Sequence, residues 1–278
     1  MAKHFSTVIL SADSRQFYTE LEIGTAKPTE TDQAGVKHYF IDSHSITEEI
    51  TAANYEKQAL EVLENEFKFH DNIILVGGSG MFIDALCFGL DAIPASKTLR
   101  DELTIQVNKF GLRSLLPELE EKDPDYFSQV DKKNAMRVIR AIEVIRLTGK
   151  SYSSLRKAIP KERAFSIKRF VIDHPREKLY ERINLRVDQM LENGLLEEVK
   201  KLEKFKDLSA LRTVGYSELF VFLEGKSTYP DAVELIKQNS RRYAKRQLTW
   251  FRKHTDAVWI PQDTKELMSA RILEELSF

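Results

Sequence analysis

The chain has 278 residues, a length that suits one large domain or two modest ones. Apolar residues make up 42% of it and charged residues 31%, which is typical of a globular protein and excludes a disordered one. The formal net charge of −1 excludes a uniformly basic nucleic-acid binder, so any such site has to be a local patch.

Residue types that mark special chemistry are scarce. Cys87 is the single cysteine, so no disulfide can form within the chain. The six histidines are scattered without the spacing of metal ligands, so no structural zinc is expected. No apolar run approaches the ~18 residues of a membrane span, and the first residues lack the apolar stretch of a signal peptide. The protein is therefore expected in the cytoplasm and not in a membrane.

Three short runs of aliphatic and β-branched residues predict strands. They are Thr7–Leu10, Val36–Ile41 and Ile73–Val76. A helix is expected over Ala52–Phe67, and another over Met81–Phe88, directly after the Gly77–Gly80 turn. Strand, tight glycine turn and helix form the βα unit of a parallel sheet.

Residues 96–164 have a different character, because helical patterns dominate and no strand is convincing. Apolar residues recur there at helical spacing in two segments, and Gly149 suits the C-terminal cap of the second. These apolar residues are Leu99, Leu103 and Val107, then Val138, Ile142 and Ile145. We therefore predict an α/β core formed by residues 1–95 and 165–278, with residues 96–164 inserted as a helical domain.

The α/β pattern returns after this insertion. Phe170–Ile172 is typical of a strand that returns to the sheet. An amphipathic helix is expected over Leu179–Leu191, ending near Gly194, and a last long helix over residues 229–253.

Asp13 directly follows the first predicted strand. In open α/β sheets, ligands bind outside the carboxyl ends of the strands, and a carboxylate there can accept a proton from a reacting amine. The alternative is that Asp13 caps a turn or a helix, and its position alone leaves both open. Ser14, Arg15 and Gln16 complete a polar cluster, in which Arg and Gln could pair with a base edge or a phosphate.

Two glycine-containing segments suggest phosphate binding. Gly77–Gly80 could present backbone N–H groups to an anion at a helix start, but a tight strand-to-helix turn also explains these glycines. Gly149-Lys150-Ser151 lacks the earlier glycine of a phosphate loop, because Val144 occupies that position, and it follows a predicted helix. The second segment is therefore excluded as a phosphate loop.

Two arginine pairs recur at helical spacing. Arg137 and Arg140 share one helix face, for which a solvated basic surface is the ordinary explanation. Arg182 and Arg186 share another face and flank an apolar stripe. Two guanidinium groups directed into a crevice would suit a diphosphate, and pairing with nearby glutamates is the alternative.

The last predicted helix concentrates positive charge. Residues 235–255 contain seven Lys or Arg and no Asp or Glu, and Tyr243, Trp250 and Phe251 lie among them. A phosphate backbone attracts such a stripe, and aromatic rings stack on unpaired bases. The seven cations are Lys237, Arg241, Arg242, Lys245, Arg246, Arg252 and Lys253. We therefore favour a nucleic-acid contact over a merely solvated face.

Seven segments match the motifs of one family in order and spacing. They are Ser11–Tyr18, Glu22–Pro28, Leu75–Gly80, Arg137–Val144, Leu179–Ile183, Val214–Tyr216 and Tyr243–Arg252. On these segments the chain resembles the bacterial tRNA dimethylallyltransferases of the IPP transferase family, from residue 6 to about residue 260. A single glycine turn is common among proteins, whereas seven motifs in order are highly specific.

The resemblance implies a P-loop-NTPase-like parallel sheet core with a helical insertion domain. It implies transfer of a dimethylallyl group from dimethylallyl diphosphate to N6 of the adenosine 3′ of the anticodon in tRNA. Mg²⁺ would be the cofactor and the tRNA anticodon stem-loop the partner, and we expect a monomer. By the same resemblance, Asp13 would be the base that takes the N6 proton, and Arg186, together with Arg182, would hold the diphosphate.

The resemblance also implies contacts with tRNA, including contacts of residues 13–16 with a flipped-out adenosine and its neighbours. Ser79 stands where the family usually has Thr and keeps the hydroxyl. The implied tRNA-binding residues are Asp13, Ser14, Arg15, Gln16, Ser79, Arg100, Met136, Arg137, Val138, Ile139, Arg140, Arg212, Thr213, Val214, Gly215, Tyr216, Ser217, Ser240, Arg241, Arg242, Tyr243, Ala244, Lys245, Arg246 and Gln247.

One departure from the family pattern concerns the diphosphate. The family opens with a strand, a Gly-Pro-Thr-x-x-Gly-Lys-Thr/Ser loop and a helix, and none of the 278 residues supplies that loop. In the family, the loop binds the diphosphate and helps to hold Mg²⁺. We therefore expect these residues by themselves to be inactive or nearly so, and one sheet position to lack its strand.

Three other functions remain open from the sequence. An adenosine-phosphate isopentenyltransferase shares the fold and the donor but would not need the basic last helix or the insertion. A non-catalytic RNA-binding protein would bind tRNA in a salt-sensitive manner without a diphosphate site. A nucleoside kinase is a weaker alternative, because it requires a phosphate loop.

Overall fold

The structure, a computed structural model, describes residues 1–157 and 159–276. Its internal contacts divide the chain into two compact units, and residues 88–162 form the second of them. The backbone N–H of Lys161 donates to the carbonyl oxygen of Phe88 at 2.7 Å, so the two ends of this unit are bonded to each other. The helices of this unit, from Lys97 to Leu155, lie within the range 96–164 of the predicted insertion, whose bounds stay a prediction.

The first stretch of the other unit forms a three-stranded parallel sheet. Its elements are β1 (Ile9–Ser11), α1 (Glu30–Gln33), β2 (His38–Tyr39), α2 (Ala52–Glu66), β3 (Ile74–Val76) and α3 (Gly80–Phe88). The predicted strands, and the strand–turn–helix unit at Gly77–Gly80, are confirmed. The strand order is β2-β1-β3, so β1 is central and Asp13 follows its carboxyl end. β3 lies at an edge of this sheet, where Val76 is 54% exposed.

An aromatic cluster supports the carboxyl end of β1. The buried Tyr55 of α2 donates its hydroxyl to the carbonyl oxygen of Ser11 at 3.0 Å. Burial raises the pKa of Tyr55, so this hydroxyl remains a donor. The Tyr55 ring also packs against Phe17, Phe40 and Phe82, with ring centroids 5.5, 5.0 and 5.3 Å away. The segment that follows β1 therefore rests on a closely packed apolar base.

The described residues of the second unit form helices and connecting loops, without a strand. Its helices are α4 (Lys97–Phe110), α5 (Leu116–Lys122), α6 (Pro124–Gln129), α7 (Ala135–Thr148) and α8 (Tyr152–Leu155), with a 3-10 turn at Leu112–Ser114. Leu103, Val138 and Ile142 lie in its core with no exposed surface. Gly149 has a φ of 68° and its N–H caps the carbonyl oxygen of Ile145 at 2.8 Å, so the predicted cap is confirmed.

Among the described residues, the chain after the helical unit forms five α-helices and two further strands. These elements are β4 (Phe170–Asp173), α9 (Arg176–Glu192), α10 (Leu195–Lys201), α11 (Tyr216–Leu223), α12 (Tyr229–Phe251), β5 (Val258–Pro261) and α13 (Lys265–Leu276), with 3-10 turns at Glu203–Phe205 and Ser209–Leu211. The predicted long last helix is confirmed as α12. Helices α9 to α12 share one core, in which Leu195, Tyr216 and Leu219 have no exposed surface.

One strand prediction is wrong in its pairing. β4 was expected to return to the first sheet, but it pairs in parallel with β5 to form a separate two-stranded sheet. Because β5 is only four residues long and ends in Pro261, its local pattern gave no strand prediction. Over the residues that the structure describes, none of the helices has both the length and the apolar character that crossing a bilayer requires.

Glu143 joins α7 to the start of α4 inside the helical unit. Its fully buried carboxylate accepts hydrogen bonds from the backbone N–H of Ser96 at 2.7 Å and from two guanidinium nitrogens of Arg100. It also forms an ion pair with Arg140 at 3.0 Å. Burial acts to raise the pKa of Glu143, but the hydrogen bonds from Arg100, Ser96 and Arg140 outweigh burial and lower it from the usual 4.5.

We predict that Glu143 makes folding stability pH-dependent in the acidic range. Because the pKa is lower in the folded than in the unfolded state, the carboxylate stabilises the fold fully at pH values above 4.5. This contribution is lost as the pH falls through the folded-state pKa. Urea unfolding should show that Glu143→Gln costs about 3–5 kcal/mol at neutral pH and progressively less in acid.

Glu118→Gln is the matched control in the same unit. Glu118 pairs with Arg146 at a partly exposed position, with 29% and 35% of the side chains accessible, so its loss should cost less than about 1 kcal/mol. A Glu143→Gln defect that stays constant from neutral to acidic pH would contradict the assignment.

Candidate active site

The turns that follow β1 and β3 are hydrogen-bonded to each other. The backbone N–H of Ser14 donates to Ser79 Oγ at 3.0 Å, and the two serine hydroxyl oxygens lie 3.1 Å apart. The backbone N–H of Ser79 donates to the carbonyl oxygen of Ala12 at 3.1 Å. Asp13 lies between Ala12 and Ser14, so these bonds fix its backbone from both sides.

Asp13 stabilises its own turn and keeps one carboxylate oxygen available. Its Oδ1 accepts from the backbone N–H of Arg15 at 2.9 Å, so the sequence interpretation of a turn cap is confirmed. Across the described part of the chain, no donor contacts Oδ2, and the side chain is only partly buried. The capping bond therefore does not prevent the carboxylate from meeting a ligand, and its role as a base stays a prediction.

Arg15 and Gln16 hold distant loops against this turn. Arg15 Nη1 donates to the carbonyl oxygens of residues 209 and 210 at 3.2 and 3.1 Å. Gln16 Nε2 donates to those of residues 25 and 26 at 3.2 and 3.3 Å. Their contacts with an adenosine stay predictions, and the structure gives both side chains a supporting role that the sequence did not indicate. The Ala210 carbonyl lies 195 residues further along the chain, so no local pattern could indicate it.

The predicted diphosphate ligands have different surroundings. Arg186 Nη2 donates to the carbonyl oxygen of Thr25 at 3.3 Å, whereas Arg182 Nη1 lies 3.4 Å from the ring nitrogens of His174. Desolvation by surrounding protein lowers the pKa of Arg186, and the nearby Asp13 carboxylate acts to raise it. Arg186 nevertheless remains exposed, so a cation open to a ligand lies near Asp13.

The alternative of pairing with glutamates is not observed for either arginine among residues 1–157 and 159–276. Among the described residues, Arg182 makes a polar contact with the ring of His174, and Arg186 makes one with the backbone carbonyl of Thr25. Their charge is therefore not neutralised by a glutamate ion pair.

Gly77 is required because two backbone segments approach closely. A Cβ at Gly77 would lie 2.4 Å from the backbone of Ala12. The N–H of Ser79 is already bonded to that same residue at 3.1 Å. Close packing thus accounts for this glycine, and the tight-turn interpretation of Gly77–Gly80 is favoured over an anion site.

Gly78 and Gly80 allow α12 to lie against the same turn. A Cβ at Gly78 would lie 2.0 Å from Gln247 Nε2, and a Cβ at Gly80 would lie 2.3 Å from the Trp250 ring. Gln247 Nε2 also donates to the carbonyl oxygen of Gly78 at 2.9 Å. The basic helix and the Asp13 turn are therefore joined through one short strand-to-helix connection.

Asp84 fixes the C-terminal end of α12. Its Oδ2 accepts from Trp250 Nε1 at 2.8 Å, and its Oδ1 lies 3.1 Å from His254 Nε2. Asp84 belongs to α3, which begins at the glycine turn. The helix α12 is therefore bonded to the turn through Gln247 and to α3 through Trp250.

The basic stripe of α12 is divided between internal partners and solvent. Lys237 pairs with Asp188 of α9 at 2.7 Å, and Arg241 donates to Asn184 at 2.6 Å. The partners lie on another helix, so the lack of acidic residues in 235–255 did not mean that every cation is free. Residues 240–247 of α12 are predicted to contact RNA. The exposed residues among them are Arg242, Tyr243, Lys245 and Arg246.

Tyr216 lies in the core of α9 to α12. Its side chain has no exposed surface, and its hydroxyl donates to Glu198 Oε1. Arg212 and Ser217 are exposed on the same segment, whereas Gly215 is buried. The structure thus gives the Tyr216 ring a packing role, and the predicted contact of this residue with RNA stays a prediction.

In the helical unit, some of the residues predicted to contact RNA are exposed and others are buried. Met136 and Arg137 begin α7 and are exposed, the former by 69%. Val138 and Ile139 are only 0% and 4% exposed, because their side chains face the core of this unit. The structure thus gives both side chains a packing role, and their predicted contacts with RNA stay predictions. Arg100 and Arg140 are held by Glu143.

The described residues do not form a Mg²⁺ site of their own. No three side chains of His, Cys, Asp or Glu cluster within the part of the chain that the structure describes. Near Asp13, the hydroxyls of Ser14 and Ser79 are hydrogen-bonded to each other. Because Mg²⁺ commonly takes one or two carboxylates together with substrate phosphates, Asp13 alone is an incomplete ligand set.

The family model for IPP transferases matches residues 16–254. The chain belongs to the IPP transferase family. A tRNA dimethylallyltransferase of Bacteroides thetaiotaomicron is 44% identical over 279 residues, which are 100% of this chain and 91% of that protein. One of Cytophaga hutchinsonii is 46% identical, covering 93% of this chain and 86% of that protein. Curated relatives at 40–46% identity share this activity name, so this IPP transferase is a prenyltransferase.

Solved structures of the family have the same fold. A tRNA isopentenylpyrophosphate transferase of Bacillus halodurans gives a TM-score of 0.71 at 34% identity, covering 99% of this chain and 89% of that one. The corresponding Staphylococcus epidermidis enzyme gives 0.71 at 31% identity, covering 99% and 92%. A eukaryotic dimethylallyltransferase gives 0.75 at 23% identity, covering 94% and 68%, which supports the fold alone.

We predict that Gly77→Ala destabilises this IPP transferase strongly and Gly78→Ala only mildly. The new methyl group at position 77 would collide with the backbone of Ala12, at a cost of about 1–3 kcal/mol. At position 78 it would meet only the end of the Gln247 side chain, which can rotate away. Urea unfolding of the two variants measures the difference, and equal losses would refute this account of the turn.

Proposed function

We propose that this IPP transferase moves a dimethylallyl group from dimethylallyl diphosphate to N6 of the adenosine 3′ of the anticodon in tRNA. The observation that carries the proposal is the available Oδ2 of Asp13 with the exposed Arg186 guanidinium nearby. A carboxylate can accept the proton of a reacting amine, and a guanidinium can bind a diphosphate. The names of the relatives support the same reaction.

The proposed transfer needs few protein groups. The N6 nitrogen forms a bond to C1 of the dimethylallyl group, the bond from C1 to the diphosphate oxygen breaks, and the diphosphate leaves with the electron pair. Asp13 accepts the proton that N6 loses. Arg186 stabilises the negative charge that develops on the leaving diphosphate.

Mg²⁺ is proposed as the cofactor, with the diphosphate itself supplying oxygen ligands. When bound, it would neutralise charge on the leaving group. The contribution of the chain's own residues is to hold Asp13 and Arg186 in place.

The exposed part of α12 is the proposed RNA-binding surface. Arg242, Lys245 and Arg246 present positive charge there, and Tyr243 is 41% exposed. Gln247 of the same helix bonds to Gly78, whose neighbour Ser79 bonds to Ser14. A backbone held by α12 would thus lie beside the segment that carries Asp13.

The 278 residues contain no Gly-Pro-Thr-x-x-Gly-Lys-Thr/Ser segment, so Arg186 and Arg182 are the diphosphate-binding residues that they offer. We therefore expect the 278-residue polypeptide, assayed as such, to transfer slowly or not at all. The assays below use the protein expressed from its natural gene. Transfer at a normal rate by the 278 residues alone would refute this expectation.

We predict that Asp13→Asn lowers kcat for prenyl transfer to tRNA by about 100-fold or more. The amide keeps the shape and the Oδ1 cap but cannot accept the proton, so tRNA binding should remain unchanged. The assay measures incorporation of labelled dimethylallyl groups into tRNA, and Asp71→Asn, an exposed position outside the site, is the matched control.

The same assay separates the alternatives. Turnover that survives Asp13→Asn would remove Asp13 as the base. Transfer to adenosine monophosphate in preference to tRNA would indicate an adenosine-phosphate isopentenyltransferase, and tRNA binding without any transfer would indicate an RNA-binding protein.

We predict that Lys245 and Arg246 bind tRNA phosphates. Replacing both with Ala should weaken binding and reduce the slope of log affinity against log salt by roughly 0.7–0.9 for each lost contact. Lys237→Ala is the control on the same helix, because Lys237 pairs with Asp188 and should leave the slope unchanged. An equal change of slope in both proteins, measured by filter binding across salt concentrations, would contradict this division of α12.

A further inference from the structure

Glu198 of α10 holds one loop by four hydrogen bonds. Its Oε2 accepts from the backbone N–H groups of Glu22 and Ile23 at 3.2 and 2.8 Å. Its Oε1 accepts from the backbone N–H of Gly24 at 3.1 Å and from the hydroxyl of Tyr216. Three consecutive backbone donors thus converge on one carboxylate, which fixes the position of the loop of residues 22–26.

Tyr216 closes this arrangement from α11. A Cβ at Gly24 would lie 2.5 Å from the Tyr216 ring, so the ring lies directly against the loop. Burial raises the pKa of Tyr216, and the Glu198 carboxylate raises it further, so the hydroxyl stays protonated and donates. The loop is therefore clamped between a buried ring and a carboxylate.

The opposite side of the same loop faces the candidate active site. The carbonyl oxygen of Thr25 accepts from Arg186 Nη2 at 3.3 Å and from Gln16 Nε2 at 3.2 Å. The carbonyl oxygen of Ala26 accepts from Gln16 at 3.3 Å. A displacement of the loop would therefore displace the acceptor that orients the Arg186 guanidinium.

We propose that Glu198 is a positioning residue for Arg186, and thereby for the diphosphate of the prenyl donor. This inference rests on the proposed function, in which Arg186 binds that diphosphate. The physical requirement is an acceptor-only group, because every partner of Glu198 is a donor. An amide at position 198 would direct an N–H group toward a backbone N–H or a hydroxyl, and the loop would move.

A second carboxylate serves as the matched comparison. Glu218 of α11 accepts from the backbone N–H of Gly215 at 2.8 Å and from Asn239 Nδ2 of α12 at 2.6 Å. Asn239 Oδ1 in turn accepts from Arg242 Nη1 at 3.1 Å. Glu218 thus supports the proposed RNA-binding helix in the way that Glu198 supports the loop beneath Arg186.

The test compares Glu198→Gln with Glu218→Gln in the protein expressed from its natural gene. Titration calorimetry gives the Kd for inorganic pyrophosphate, and steady-state assays give the two KM values. For Glu198→Gln we expect the pyrophosphate Kd and the KM for dimethylallyl diphosphate to rise about tenfold, with the KM for tRNA changed less than about twofold. For Glu218→Gln we expect the opposite split.

A general loss of stability would not produce this split. If both variants raise both KM values alike, or if Glu198→Gln lowers only the Tm, the positioning role is refuted. If Glu198→Gln does not fold, Tyr216→Phe keeps the ring over Gly24 but removes one of the four bonds. It should raise the pyrophosphate Kd by about threefold, and an unchanged Kd would refute the proposal.

Failure of the proposed function gives a different result. Wild-type protein that binds pyrophosphate but transfers no prenyl group would refute the reaction, while the effect of Glu198→Gln on the pyrophosphate Kd would still test the positioning role.

Discussion

The hydrogen bonds between the carboxyl ends of β1 and β3 are the constraint on which the candidate site depends. The backbone N–H of Ala12 donates to the carbonyl oxygen of Val76 at 2.7 Å, and the N–H of Ser79 donates back to Ala12 at 3.1 Å. The two chain segments come so close that Gly77 has no room for a side chain. Asp13 follows this contact directly, so backbone pairing places it at the end of β1, and its own Oδ1 then caps the turn.

Carboxylates fix two of the chain segments around that point. Glu198 holds the loop that meets Gln16 and Arg186, and Glu218 holds the turn before α11 against α12. A carboxylate is only an acceptor, so it can collect several backbone N–H groups that no strand or helix satisfies. Such loops need this support because their own backbone groups would otherwise be unsatisfied in a partly buried place.

The site therefore combines rigid and adaptable parts. The aromatic cluster of Tyr55, Phe17, Phe40 and Phe82 fixes the segment after β1 from below. The exposed side chains of α12 can adjust to a ligand, whereas the guanidinium of Arg186 is oriented by the carbonyl oxygen of Thr25. A fixed backbone that carries adjustable cationic side chains suits a reaction in which one substrate is a diphosphate and the other is an RNA.

Periodicity, glycine turns and ordered motifs are local properties of a chain, so they predict the helices α2, α3, α4, α7, α9 and α12, the strand–turn–helix unit at Gly77–Gly80 and the family. The pairing of β4 with β5, the carbonyl partners of Arg15, and the division of the α12 cations between α9 and solvent follow from the tertiary structure alone. The same holds for the burial of the Val138, Ile139 and Tyr216 side chains. These features depend on groups that are far apart in the chain, and a sequence pattern does not specify which distant group a side chain will meet.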